Sequence, residues 1–257
     1  MLKQLTVLAL ALIAAPIVTF AQTTPVEAAT PVAPAATPSP LAHESEAGIA
    51  SASGNSESNT YNLKQTTSYK WENDKLTGTF RYLNTSAGGV DTAKNWDGGL
   101  RFDRILSNRL SLFASAGLEA DRFAGFTQRN NHDLGAHYDI VKNTDTNVFG
   151  EAGYRYTYTM YTTAPADVSA AANILRLYAE GTQKVLDRTS FRLWVEYLPS
   201  FNTPEDYRIN FEPSFVSQLS GFLSLKIGYL VKYHNVVVAP ATTTSDRLFT
   251  TSLVAKF

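Results

Sequence analysis

The sequence predicts an all-β fold: an antiparallel, up-and-down transmembrane β-barrel of about twelve strands, with short periplasmic turns and longer extracellular loops. Three observations predict it. Apolar and polar residues alternate with period two over segments longer than the strands of soluble sheets. The connections alternate between tight ones and a mostly longer set. The last segment ends on an aromatic residue that fits its own alternation.

The expected strands cover 44–53, 59–70, 75–84, 94–105, 109–119, 129–140, 146–160, 171–185, 189–199, 205–217, 221–234 and 245–257. The alternation is clearest in the later ones. Leu110, Leu112, Ala114, Ala116 and Leu118 share one face, with Ser111, Phe113, Ser115 and Glu119 on the other. Leu223, Leu225, Ile227, Tyr229, Val231 and Tyr233 alternate with Lys226, Gly228 and Lys232. The tight connections are 71–74, 106–108, 141–145, 186–188 and 218–220. They interleave with 54–58, 85–93, 120–128, 161–170, 200–204 and 235–244. An even strand number with short turns on one side puts both termini in the periplasm. Nearly every segment reaches the 9–11 residues or so that a spanning strand needs. Phe249, Thr251, Leu253, Ala255 and Phe257 share a face of the last strand. The terminal Phe257 resembles the insertion signal read by the barrel-assembly machinery. Tyr69, Trp71, Tyr82, Tyr158, Tyr161, Tyr197 and Tyr233 sit near strand ends, where amphipathic rings meet lipid headgroups.

Composition narrows the remaining classes. There is no cysteine, so a disulfide scaffold, a cysteine metal site and a thiol nucleophile are excluded. A formal net charge of -1 leaves no basic excess for a nucleic-acid partner. The chain opens MLKQLTVLALALIAAPIVTFAQ. Lys3, an apolar run from Leu5 to Ile17 and small residues at Thr19 and Ala21 read as a signal peptide over 1–21. The apolar run is short of the roughly 20 residues a spanning helix needs, and no later segment supplies them. Residues 22–43, QTTPVEAATPVAPAATPSPLAH, are rich in Pro, Ala and Thr and read as a periplasmic linker, with 44–257 as the barrel.

Some segments also resemble a known family. EAGIASASGNSESNTYNLK (46–64) is similar to the opening hairpin of domain-of-unknown-function family 481, the salt-induced outer-membrane proteins. LRFDRILSNRLSLFASAGLEADRFAGFTQR (100–129) resembles its central part, and SDRLFTTSLVAKF (245–257) its closing strand. The resemblance implies an outer-membrane barrel. It brings no established activity, so no catalytic residue carries over.

With the apolar face on lipid, the opposite face lines the lumen. It collects Arg101, Asp103, Glu119, Glu151, Arg155, Arg176, Glu180, Arg192, Glu196, Arg208, Glu212, Lys226 and Lys232, together with Lys64 and Arg81. Lys or Arg near mid-membrane on the lipid face would cost about 2–4 kcal/mol each. Two readings of this lumen stand. Opposite charges can pair into a structural plug, or an Arg and Lys ladder can pass small anions. The near cancellation of charge favours the plug, since selective pores carry rings of one sign.

Three functions follow: a non-catalytic structural barrel or narrow small-solute channel, a barrel-embedded lipase or protease, and an outer-loop ligand or adhesion protein. A hydrolase needs a base beside a nucleophile. Only His132-Asp133, expected at the outer rim, and His137 with Asp139 invite that reading. At the mouth, Asp121, Arg122 and Arg129 form either an Arg–Asp clasp between adjacent strands or a ligand clamp. The loop at 235–244, with VVVAP, reads as a mobile linker. No cofactor or metal is expected, and the partners are outer-membrane lipid and the assembly machinery.

Overall fold

The computed structural model describes residues 39–52, 58–163, 170–239, 241 and 243–257. The signal-peptide expectation and nearly all of the linker fall outside these residues. Twelve strands follow one another: β1 (Leu41–Ala52), β2 (Ser58–Trp71), β3 (Asp74–Ala87), β4 (Val90–Ile105), β5 (Leu110–Asp121), β6 (Phe126–Lys142), β7 (Thr146–Tyr161), β8 (Ala171–Leu186), β9 (Thr189–Pro199), β10 (Tyr207–Gln218), β11 (Leu223–His234) and β12 (Ser245–Lys256). Each pairs antiparallel with its sequence neighbours, and β1 pairs with β12 to close the barrel. Closing the sheet on itself is the condition for a β-structure to cross a bilayer, and here the closing ladder covers only the first part of β1.

Several strands run farther than the alternation indicated. β1 starts at Leu41 rather than Glu44, so His43 belongs to the wall and its Nδ1 bonds Thr67 Oγ1 at 3.0 Å. The 85–93 connection is mostly strand. Its turn is Gly88-Gly89, with φ of 56° and 78°, the left-handed values that a two-residue hairpin needs. The 120–128 connection shrinks to 122–125 between β5 and β6.

Side-chain phase follows the expected alternation. Leu100, Leu134 and Phe249 point outward and stay 61%, 63% and 65% exposed. In water such a surface is an aggregation hazard; against lipid it is the stable arrangement. Rings gather at both rims. Tyr69, Trp71 and Phe102 cluster near the ends of β2 and β4, with centroids 5.7 and 6.3 Å apart. Tyr197, Tyr207 and Tyr233 form the opposite cluster at 6.2 and 6.0 Å. Phe257 locks the seam: its amide and carbonyl exchange 2.9 Å hydrogen bonds with His43, and its ring stacks on Phe222.

Glycines thin the wall where the lumen is most crowded. Phe113 on β5 is registered with Gly135 on β6, which faces Gly153 on β7. A Cβ on Gly135 would lie 2.7 Å from the Phe113 ring and 2.6 Å from the Ala152 carbonyl. Phe113 therefore fills the space a side chain would take. Gly135→Ala should lower the barrel's stability by about 1–3 kcal/mol through overpacking. A fall in the urea midpoint of the heat-modifiable folded band measures this, and an unchanged midpoint would show that the ring can move aside.

Candidate functional site: the lumen

Of the thirteen charged residues assigned to the lumen from the sequence, ten border the two internal cavities, and Asp103, Glu151 and Glu180 pair with residues that do. The structure links six of the thirteen, with Asp133 and His137, into one network on the β4–β9 wall. Glu151 is at its centre. It accepts from Arg101 at 2.8 Å, from Arg176 at 2.7 Å and from His137 Nδ1 at 3.1 Å. Arg101 also holds Asp103 at 2.7 Å, and its guanidinium lies 4.0 Å from the Phe113 ring centroid. Arg176 reaches Glu196 at 2.8 Å. Arg155 binds Asp133 at 2.6 Å and approaches Glu196 at 3.5 Å. Charge-assisted bonds of this density, over an aromatic floor, fix the side chains in one arrangement. The floor continues as a row of rings: His137 to Phe149 at 4.6 Å, Phe149 to Tyr178 at 5.8 Å, and Tyr178 to Trp194 at 6.0 Å.

The remaining lumen charges form smaller groups. Arg192 pairs with Glu180 at 2.7 Å. Lys226 bridges Glu212 at 2.6 Å and Glu46 at 3.3 Å. The buried Glu212 Oε1 has no aligned hydrogen bond, so the Lys226 charge is what holds it. Nearer the outer end Arg81 pairs with Asp97 at 2.6 Å and Arg129 with Glu119 at 3.3 Å. Lys64, Arg208 and Lys232 have no carboxylate within 4.0 Å among the described residues. Two cavities of about 450 and 720 Å³ lie beside these groups; Arg208 borders the smaller, Lys64 the larger and Lys232 both.

The mouth differs from expectation. Asp121 does not clasp Arg122 or Arg129. Its Oδ1 accepts from the amides of Phe123 and Ala124 at 3.1 and 3.0 Å, capping its own turn. A carboxylate one residue before a tight turn meets those amides before it can reach a neighbouring strand. Arg129 turns inward instead, to Glu119 and to Thr159 Oγ1 at 3.1 Å, with its guanidinium 3.8 Å from the Phe126 centroid. The 235–244 segment is not a free linker either. Val238 is buried, and its carbonyl accepts from Ala241 at 2.9 Å. Val236, Val237 and Val238 border the smaller cavity with Ala124, Phe126 and Leu198, covering an apolar mouth. The run of valines was the signal for this: a solvated linker has no use for them.

Neither expected histidine pair forms a hydrolytic centre. His132 lies on the lipid face, registered with Ala116 and Tyr156, not at the rim. Asp133 points the opposite way, into the network, as strand alternation requires. His137 has both ring nitrogens on carboxylates, Glu151 at 3.1 Å and Asp139 at 3.2 Å. One pair was not anticipated: His234 Nε2 donates to Asp206 at 2.6 Å between the end of β11 and the β9–β10 loop. Burial opposes the charge on Asp206. The His234 bond and the nearby Arg208 and Arg129 nevertheless hold its carboxyl below the usual carboxylate range. Among the described residues no cluster of His, Asp and Glu is arranged to hold a metal ion.

A closed twelve-strand barrel with an apolar outer belt and an ionised lumen is a bilayer-spanning protein of the outer-membrane type. The chain belongs to DUF481, a family of proteins of unknown function whose model matches residues 45–257. No curated protein matches it. Among solved structures it is similar to the NanC porin, at 12% identity over 84% of this chain and 97% of that one, with a TM-score of 0.47. It is similar also to the KdgM porin, at 10% identity over 84% and 99%, TM-score 0.47. The translocator domain of the autotransporter NalP from Neisseria meningitidis shares 12% identity over 84% and 86%, TM-score 0.44.

Proposed function

We propose that this protein is a non-catalytic outer-membrane conduit of low conductance for small solutes. One observation carries the reading: the network from Asp103 through Arg101, Glu151, Arg176 and Glu196 to Arg155 and Asp133 occupies one side of the lumen, while cavities bordered by carboxylate-free cations remain beside it. A solid plug would leave no such space, and a wide porin would leave the wall charges apart. In this reading residues 1–21 direct export, the segment from 22 to the start of β1 tethers the barrel in the periplasm, and Phe257 guides insertion by the assembly machinery. The two histidine pairs singled out in the sequence lend catalysis no support, because His137 is held by two carboxylates and His132 faces lipid.

Planar-bilayer recordings of the purified barrel test this. Small, resolvable steps are the expected result. Large porin-like steps would overturn the narrow lumen, and silence at both polarities would leave a purely structural barrel.

A further inference from the structure

The barrel wall is weakest where it closes. The other ladders are longer, yet β1 and β12 pair only from His43–Phe257 to Ala47–Leu253. From Gly48 onward β1 continues its ladder with β2 alone, and β12 from Ser245 to Ser252 continues with β11 alone. What crosses this part of the seam is a side chain. Asn62 Nδ2 on β2 donates to Ser252 Oγ on β12 at 3.0 Å. It passes over Gly48, which packs against Asn62 Oδ1 and against the β12 backbone: a Cβ there would sit 2.6 Å from the Thr251 carbonyl. Backbone groups left without a ladder at membrane depth are costly, so a half-zipped seam is not a neutral feature.

The larger cavity is bordered from both sides of this seam. Thr60 and Asn62 border it from β2, and Leu248 and Thr250 from β12. Here the lumen loses its polar phase. Leu230 and Leu248 are a registered pair that faces inward, between the Lys232–Asp246 and Gly228–Thr250 pairs. Leu83 joins them from β3, two positions beyond Arg81. Next to this apolar patch stand Lys64 and Arg81, registered with each other, and Lys232, which borders the same cavity. Asp97 neutralises only Arg81 by direct contact. The cavity thus offers leucines on the seam side and, among otherwise balanced lining charges, two lysines, Lys64 and Lys232, without a carboxylate within 4.0 Å among the described residues, at a volume ordinary for a small-molecule site.

We infer that this cavity binds a single-chain anionic amphiphile, its acyl chain on Leu83, Leu230 and Leu248 and its carboxylate on Lys64 and Lys232, and that the chain enters through the upper β1–β12 seam. This goes beyond conduction through the lumen and stands or falls separately from it. The probe is 11-(dansylamino)undecanoic acid, added to the folded barrel in nanodiscs, with dansylglycine as the tail-free anion and a dansylated alkyl alcohol as the neutral amphiphile. Saturable, blue-shifted binding is expected for the undecanoate alone. Lys64→Ala and Lys232→Ala should each weaken it about tenfold, the value of a charge-assisted contact. Leu248→Asp should abolish it while the heat-modifiable folded band persists. The chain has no native cysteine, so Ile49→Cys with Thr251→Cys gives a clean cross-link across the seam. Oxidation should slow probe entry by about tenfold if the barrier rises by about 1.4 kcal/mol, and reduction should restore it. Equal binding of either control probe, or lysine variants with unchanged affinity, would overturn the site. Unchanged entry into the cross-linked barrel would overturn the lateral route.

Discussion

Glu151→Ala is expected to be the most damaging single change in the wall. The Glu151 side chain is 3% exposed and takes bonds from Arg101, Arg176 and His137 together. Removing it leaves two guanidiniums facing each other over Phe113 with one acceptor fewer each. Breaking a buried ion pair from one side costs about 3–5 kcal/mol, because the surviving charge stays desolvated. Arg101 is 26% exposed and can turn toward lumen water, which places the expected loss at the lower end of that range. The shift in urea midpoint of the folded barrel measures it. The double variant Glu151→Ala with Arg176→Met should recover most of the loss, since a paired removal leaves less uncompensated charge. If the single variant costs nothing, the network is wet and worth no more than surface pairs. The same variant should also raise the conductance step, because the network's central carboxylate leaves the lumen.

Much of this wall could be read in the sequence, and the reason is geometric. Side chains on a strand alternate strictly, so a charged residue's parity fixes the face it occupies. Arg101, Glu151, Arg176 and Glu196 were placed by parity alone. The same rule would have moved Asp133 into the lumen, since it shares a face with Arg129 and His137; its neighbour His132 drew it into a dyad that parity forbids. What parity cannot give is the partner. Arg101 on β4 meets Glu151 on β7 because Phe113, Gly135 and Gly153 let the wall between them lie close, and that depends on ring and glycine packing across strands. The mouth was harder still. Asp121 sits one residue before a turn, and local amides took its oxygens before any long-range pairing could. The short β1–β12 ladder has no local signature, because it joins the two ends of the sequence.

Gly125→Ala should open the mouth without weakening the wall. Gly125 lies in the β5–β6 turn with φ of 88°, a conformation that costs a residue with a Cβ about 1–2 kcal/mol or more. The added methyl would also sit 2.6 Å from the Ala239 carbonyl and 3.1 Å from that of Val238. Both belong to the β11–β12 loop that covers the smaller cavity. Relief requires the loop to lift, and lifting exposes Val238, a loss of about 1.5–3 kcal/mol of buried apolar surface. No strand ladder includes Gly125, so the wall pairing should stay intact, and the urea midpoint should fall only by the turn strain and the lost Val238 burial. The conductance step should rise several-fold, and the 235–244 loop should become sensitive to protease added from the loop side. Val238→Ala separates the two causes: it removes the loop's apolar anchor but leaves the turn unstrained, and should give a smaller rise. If both variants conduct like the parent, the loop does not limit flow, and the resistance lies deeper, at the Glu151 network.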